Sequence, residues 1–210
     1  MIQLLWTGEY LIFVLLILAL VLSLTIHELG HAVVAKWFGD DTAQRAGRIT
    51  LNPVKHIDPV GLLMVIIVGF GFAKPVPTNP ANFTNPQADL WVAAAGPAMN
   101  LMLAVGCWNL YILAWRAGWT TPPVEIFSTL LAQVNLLLMI FNLLPIGPLD
   151  GHYIAPHLMP QRAAKVYRHY NARYGAMVLL ALVVASLLGL PLLKWLAQLS
   201  RTLLELITLA

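Results

Sequence analysis

Two histidines four residues apart, with a glutamate directly after the first, stand at His27-Glu28-Leu29-Gly30-His31. Four residues is close to one turn of a helix with about 3.6 residues per turn, so His27 and His31 stack on one face and can grip one metal ion. Glu28 lies about 100° round from His27 and about 60° from His31, beside such an ion and not on it. From there a general base can take a proton from a metal-activated water. The plain alternatives are a chance match or a polar patch between helices. Against both stands the location, because ionisable groups in an apolar stretch cost roughly a few kcal/mol each and persist where they have work and partners.

A tetrahedral zinc held by two histidines lacks a third protein ligand if its fourth position is to hold water. Asp150 is the candidate, at the end of Asn142-Leu143-Leu144-Pro145-Ile146-Gly147-Pro148-Leu149-Asp150-Gly151. Taken alone, Asp150 could equally cap a helix after a proline turn. Beside an incomplete histidine pair, the ligand reading is preferred.

The elements that must position these groups follow from composition. The chain has 210 residues, 60% of them hydrophobic and 10% charged, with one cysteine. Mean hydropathy is +0.78. A soluble domain carries about 25% charged residues, so a water-soluble globule is excluded, and so are disorder and nucleic-acid binding as a main role. The net charge of +3 is spread thinly and forms no basic block. The single Cys107 allows no intrachain disulfide and no cysteine-based metal cluster.

A span takes roughly 20 apolar residues. Four uncharged stretches are long enough: 10–26, running on through the charged motif to Phe38, then 90–115, 126–149 and 174–193. The first is not a signal peptide, since no basic residue precedes it and no small-residue cleavage site closes it. A fifth stretch, 59–73, is too short for an ordinary crossing and carries Gly61, Gly69 and Gly71. It reads as a re-entrant or interfacial segment, either a short helix or a small β-hairpin. The expected fold is an all-α polytopic membrane protein with about four transmembrane helices plus this re-entrant segment, forming one domain over 1–210.

Orientation follows from basic residues. The loops after the first and third spans hold Lys36, Arg45, Arg48, Lys55, Lys74, Arg162, Lys165, Arg168 and Arg173; the other side holds Arg116, Lys194 and Arg201. Nine against three places the richer loops in the cytoplasm, both termini outside, and His27 and Asp150 toward the cytoplasmic face. Trp6, Trp91, Trp115, Trp119 and Trp195 fall near span ends, as interface anchors do. The C-terminal stretch from Leu196 breaks its apolar runs with Arg201 and Glu205 and is expected along the interface.

The chain resembles the site-2 protease family of intramembrane zinc metalloproteases. The resemblance rests on His27-Glu28-Leu29-Gly30-His31, on Ala95-Gly96-Pro97-Ala98-Met99-Asn100 and on the run from Asn142 to Gly151. Gly47-Arg48-Ile49-Thr50-Leu51-Asn52-Pro53 with His56-Ile57-Asp58-Pro59-Val60-Gly61 resembles the compact bacterial and archaeal branch, which lacks accessory domains. The resemblance implies one zinc per chain held by His27, His31 and Asp150, with Glu28 as catalytic acid and base. It also implies Asn142 as a substrate-holding residue. The implied reaction is hydrolysis of a peptide bond within or near a transmembrane segment of a membrane-protein substrate, in a multi-pass protein of the cell membrane. Gly147 departs from the family, which often has proline there, and is expected to soften the broken helix while sparing the ligands.

Other residues carry weaker expectations. His56 is expected in a surface contact with Asp58, or else to assist substrate. Asn100 should bond a neighbouring helix, and Gly96-Pro97 should mark close packing and a kink. His152, His157 and His169 should be solvated or interfacial, and Cys107 should serve packing. Residues 65–72 (Val65-Ile66-Ile67-Val68-Gly69-Phe70-Gly71-Phe72) either offer a strand edge to an extended substrate or form a buried plug. Two rival functions are an inactive membrane-segment adaptor and a zinc transporter. The intact Glu28 speaks against the first; the second would want more ligands toward the outer side, where only Glu9 and Glu125 stand.

Overall fold

Lipid offers no partner to a backbone N–H or C=O, so a chain this apolar satisfies its main chain inside helices. The computed structural model, which describes residues 1–69 and 71–209, places most of them in helices joined by turns. A short α1 (Ile2–Trp6) leads into α2 (Tyr10–Trp37), followed by α3 (Thr42–Arg45) and α4 (Pro59–Val68). Then come α5 (Ala88–Arg116), α6 (Pro122–Asn142), α7 (Gly151–Ile154), α8 (Gln161–Leu187) and α9 (Leu192–Leu206). Four of them, α2, α5, α6 and α8, are long and apolar enough to cross a membrane. This is an all-α polytopic membrane protein.

The segment 59–73 resolves one alternative. It is a helix as far as Val68, and the expected strand edge over 65–72 is absent from residues 65–68; Phe70 lies outside the described residues. Local capping decides it. Asp58 accepts from Val60 N and Gly61 N, both at 2.9 Å, Pro59 opens the first turn, and Gly69 ends the helix at φ 83. A start and a stop of this kind outweigh the strand preference of Val and Ile, which depends on context. The described residues hold a single antiparallel bridge, Ile57 to Ala73, backed by Lys74 N donating to His56 O at 2.8 Å.

The third span is shorter than its uncharged stretch. The helix α6 stops at Asn142, and residues 143–150 turn irregularly, because Pro145 and Pro148 cannot donate to a continuing ladder. Helix α8 begins well before Tyr174, so Arg162, Lys165, Arg168 and Arg173 ride on its first half.

Helices α2, α5 and α6 pack pairwise, with α9 laid against α6. Ala104, Ala132, Leu136 and Leu204 form one apolar core. The C-terminal helix α9 docks on the bundle by one face. Leu196, Ser200 and Leu204 bury one face at four-residue spacing. Trp108 Nε1 donates to Thr208 Oγ1 at 2.7 Å, and Asn109 Nδ2 donates to Ile207 O at 2.9 Å. Trp6, Trp91, Trp115, Trp119 and Trp195 are all exposed at helix ends or in the adjoining turns, as expected of anchors.

Candidate metal centre

The inward face of α2 repeats every four residues: Ala19, Ser23, His27, His31 and Ala35 are all buried. That stripe meets α5, and the two helices approach closely. A side-chain carbon at Gly96 would stand 2.6 Å from His27 Cε1 and collide with the His31 ring. The small residue therefore makes the space in which the histidines sit. Pro97 follows it inside α5.

Asp150 comes from the turn after α6. Gly151 allows the reversal, since a Cβ there would run into the carbonyl oxygens of Leu143 and Leu144. Asp150 stands at the N-terminal end of α7 yet makes no side-chain cap bond, so the capping alternative fails. Its carboxylate points instead at α2: Oδ2 is 3.2 Å from His27 Nε2 and Oδ1 is 3.4 Å from His31 Nε2. The two Nε2 atoms are 3.1 Å apart. His27, His31 and Asp150 each offer one ligand atom, all within 4.8 Å of one another.

The other imidazole nitrogens explain what this cluster is for. His31 Nδ1 lies 2.6 Å from Val92 O, an atom that can only accept, so His31 carries its proton there. His27 Nδ1 bonds Asn100 Oδ1 at 2.5 Å. Both Nε2 atoms are then lone pairs aimed at a carboxylate, and Asp150 Oδ2 is buried without a hydrogen-bond partner. Three acceptors facing one another repel unless a cation lies between them. Histidine, histidine and aspartate with outer N–H groups bonded to carbonyls is the donor set of a catalytic zinc site. The residues present fit a zinc ion.

Glu28 is buried on the same turn of α2, 8% exposed, outside the ligand cluster. Its Oε2 lies 3.9 Å from Arg48 Nη2. Arg48 is 4% exposed, and sequence reasoning counted it only as a loop charge. Its Nη1 donates to Pro75 O at 2.8 Å and its Nη2 to Lys74 O at 2.6 Å. Burial draws its pKa down, and the Glu28 carboxylate opposes that. One guanidinium thus ties the chain after α4 to Glu28. Composition hides such a residue; the signal was its place in the Gly47-to-Pro53 run.

Asn142 ends α6, where its Nδ2 donates to Leu138 O at 2.9 Å in its own helix; no contact joins it to the histidine pair among the bonds of the described residues. His56 corrects an expectation: it is fully buried and bonds Thr50 O at 2.9 Å, while Asp58 is occupied as the cap of α4. Asn100 does bond other helices, as expected, and its Oδ1 bonds His27 Nδ1. His169 is exposed. His152 is part-buried and accepts at Nδ1 from Asn171 Nδ2; burial first, then the Arg168 charge, lowers its pKa. Cys107 packs beside the Ala104 core.

The family model for peptidase family M50 matches residues 15–120 and 111–186 of the chain. "Putative zinc metalloprotease YwhC" of Bacillus subtilis is 42% identical over 179 residues, covering 82% of this chain and 81% of that protein. "Putative zinc metalloprotease Rip2" of Mycolicibacterium smegmatis is 35% identical over 158 residues, 71% of this chain and 60% of the relative. "Putative zinc metalloprotease MJ0611" of Methanocaldococcus jannaschii is 28% identical over 145 residues, 69% of this chain and 70% of the relative. No solved structure matches the chain at comparable significance.

Proposed function

This chain belongs to peptidase family M50, and we propose that it is a zinc-dependent endopeptidase cleaving membrane proteins within or near their transmembrane segments. The observation that carries the reading is the convergence of His27 Nε2, His31 Nε2 and an Asp150 oxygen, buried beside Glu28. His27 lies about 15 Å before the end of a helix able to cross a bilayer, at about 1.5 Å per residue, so the chemistry is sunk below the membrane surface.

In this reading His27, His31 and Asp150 would hold one zinc ion. When bound, the ion supplies Lewis-acid polarisation to water and to the scissile carbonyl. Glu28 takes the proton from the attacking water and delivers it to the departing amine nitrogen. Arg48 keeps that carboxylate beside the site by charge, and keeps the chain at 74–75 in place by its two hydrogen bonds. Burial of the cluster limits bulk water. A helical substrate hides its carbonyls in its own hydrogen bonds and has to unwind locally, and Asn142 is assigned to hold the unwound segment. The nine-to-three basic asymmetry supports a cytoplasmic-side active site, both termini outside, and a single domain embedded in the bilayer.

The test compares membrane-protein fragments from cells carrying either the native chain or Glu28→Gln. New termini within or beside substrate spans should appear only with the native chain. Identical fragment sets from both would refute the peptidase reading.

A further inference from the structure

Beyond the ligands lies a buried polar chain that no catalytic role uses. Ser23, Asn100 and Asn135 are each 0% exposed, on α2, α5 and α6. Asn135 Nδ2 donates to Leu131 O at 2.7 Å and to Ser23 Oγ at 2.8 Å. Asn100 Nδ2 donates to Asn135 Oδ1 at 2.7 Å and to Ser23 O at 3.3 Å. Ser23 Oγ donates onward to Ala19 O at 2.6 Å.

The direction of this chain is forced. Leu131 O can only accept, so the Asn135 atom facing it is the amide nitrogen, and Asn135 Oδ1 must face Asn100. Asn100 therefore presents its own nitrogen there, and Ser23 O, another pure acceptor, demands the same. Asn100 Oδ1 is left facing His27 Nδ1, which must be the protonated nitrogen. His31 needs no such relay, because Val92 O does the same for it directly. The two ligands are thus held by different means: one by main chain, one by side chains from two other helices.

We propose that Asn135, acting through Asn100, is a positioning residue that keeps the proton of His27 on Nδ1 and so leaves Nε2 as a lone pair for the metal. The proposal rests on the zinc-peptidase reading above. Without Asn135, the Asn100 amide keeps only its longer bond to Ser23 O at 3.3 Å, so its carbonyl is held toward His27 Nδ1 more weakly. Outer-shell partners of this kind typically change metal affinity about 10–100-fold when removed.

The experiment uses the full-length protein in detergent, stripped of metal, with zinc affinity measured by chelator competition and thermal stability measured without zinc. Asn100→Leu should weaken zinc about 10–100-fold and Asn135→Leu about tenfold. The double variant should bind about as weakly as Asn100→Leu alone, since both act through one contact. The control is Asn109→Leu. Asn109 is also a buried asparagine of α5, but it bonds Ile207 O and Leu209 N of the C-terminal stretch. Its loss should lower stability and leave zinc affinity within about twofold, because no outer-shell bond to a ligand is lost. Nitrogen NMR of histidine-labelled, zinc-free wild type needs no variant and should show His27 protonated on Nδ1. Protonation of His27 on Nε2 and not on Nδ1, or native zinc affinity in a folded Asn135→Leu, would overturn the inference while leaving the peptidase reading intact. A wild type with no zinc site at all would bring down both.

Discussion

Two carboxylates near the histidine pair have different jobs because of where their oxygens point. Asp150 brings both oxygens to imidazole nitrogens, whereas Glu28 lies outside that cluster, with Oε2 3.9 Å from Arg48 Nη2. Replacing Glu28 with Gln removes a base and no ligand. Zinc content should stay at that of wild type while cleavage falls about 10²–10⁴-fold, the usual worth of a general base. Asp150→Ala removes one of three ligands, so metal content of the purified protein should drop. Full zinc occupancy in Asp150→Ala would take Asp150 out of the ligand set. At this scale the sequence was informative, since the four-residue spacing is itself a helical geometry. Arg48 and His56 were less legible: a basic and an aromatic polar side chain in a loop look solvated until the fold closes over them.

Helices and turns show how the site is held together. The end of α2 is knotted to the chain before α5 through Asp40, which accepts from Thr42 Oγ1 at 2.5 Å, Asn79 N at 2.6 Å and Asn82 Nδ2 at 2.9 Å. Burial alone would raise its pKa, but the hydrogen bonds outweigh it and hold the carboxyl at about 2, below the ordinary 3.8. A carboxyl lowered on folding stabilises fully above its unfolded pKa and loses that contribution as pH falls through the folded one. Thermal midpoints in detergent should therefore fall between about pH 4 and pH 2 in wild type, and Asp40→Asn should lack this part of the acid slope. The turn carrying Asp150 has its own tie. Gly147 N donates to Asn171 Oδ1 at 2.9 Å, and a Cβ at position 147 would stand 2.5 Å from Asn171 Nδ2. The N–H of Gly147 fastens the turn to α8. Gly147→Pro loses the donor and meets Asn171, so it should cost about 1–3 kcal/mol of stability in thermal unfolding. Adding Asn171→Ala should recover part of the loss by removing the collision; no recovery would mean that the collision is not part of the cost.

For the whole molecule, the arrangement requires α2 and α6 to deliver their motifs to one membrane face. In a Cys107-free background, single cysteines at positions 45 and 165 should label only from the cytoplasmic side and one at position 120 only from outside. The basic asymmetry motivates this, and labelling of 45 and 120 from the same side would break the four-span topology. Hydropathy alone located α2, α5, α6 and α8, because each carries a long apolar run whatever it packs against. It misplaced the end of α6, since the turn at 143–150 is as apolar as the helix before it and only its prolines mark the change.

The sequence by itself determined what is local: a histidine pair one turn apart with a base beside it, the spans that bury that pair, and a carboxylate after a proline-broken helix. Each follows from a period, a run length or a backbone donor that proline lacks. Tertiary structure decided which distant groups meet. Asn135 and Ser23 are 112 residues apart and share a hydrogen bond at 2.8 Å; no spacing rule reports that. The same holds for Arg48 beside Glu28 and for Asn171 beside Gly147. A polar side chain in an apolar helix announces only that it needs a partner. Which partner it finds, and therefore which ligand proton it governs, is settled when α2, α5 and α6 close around it.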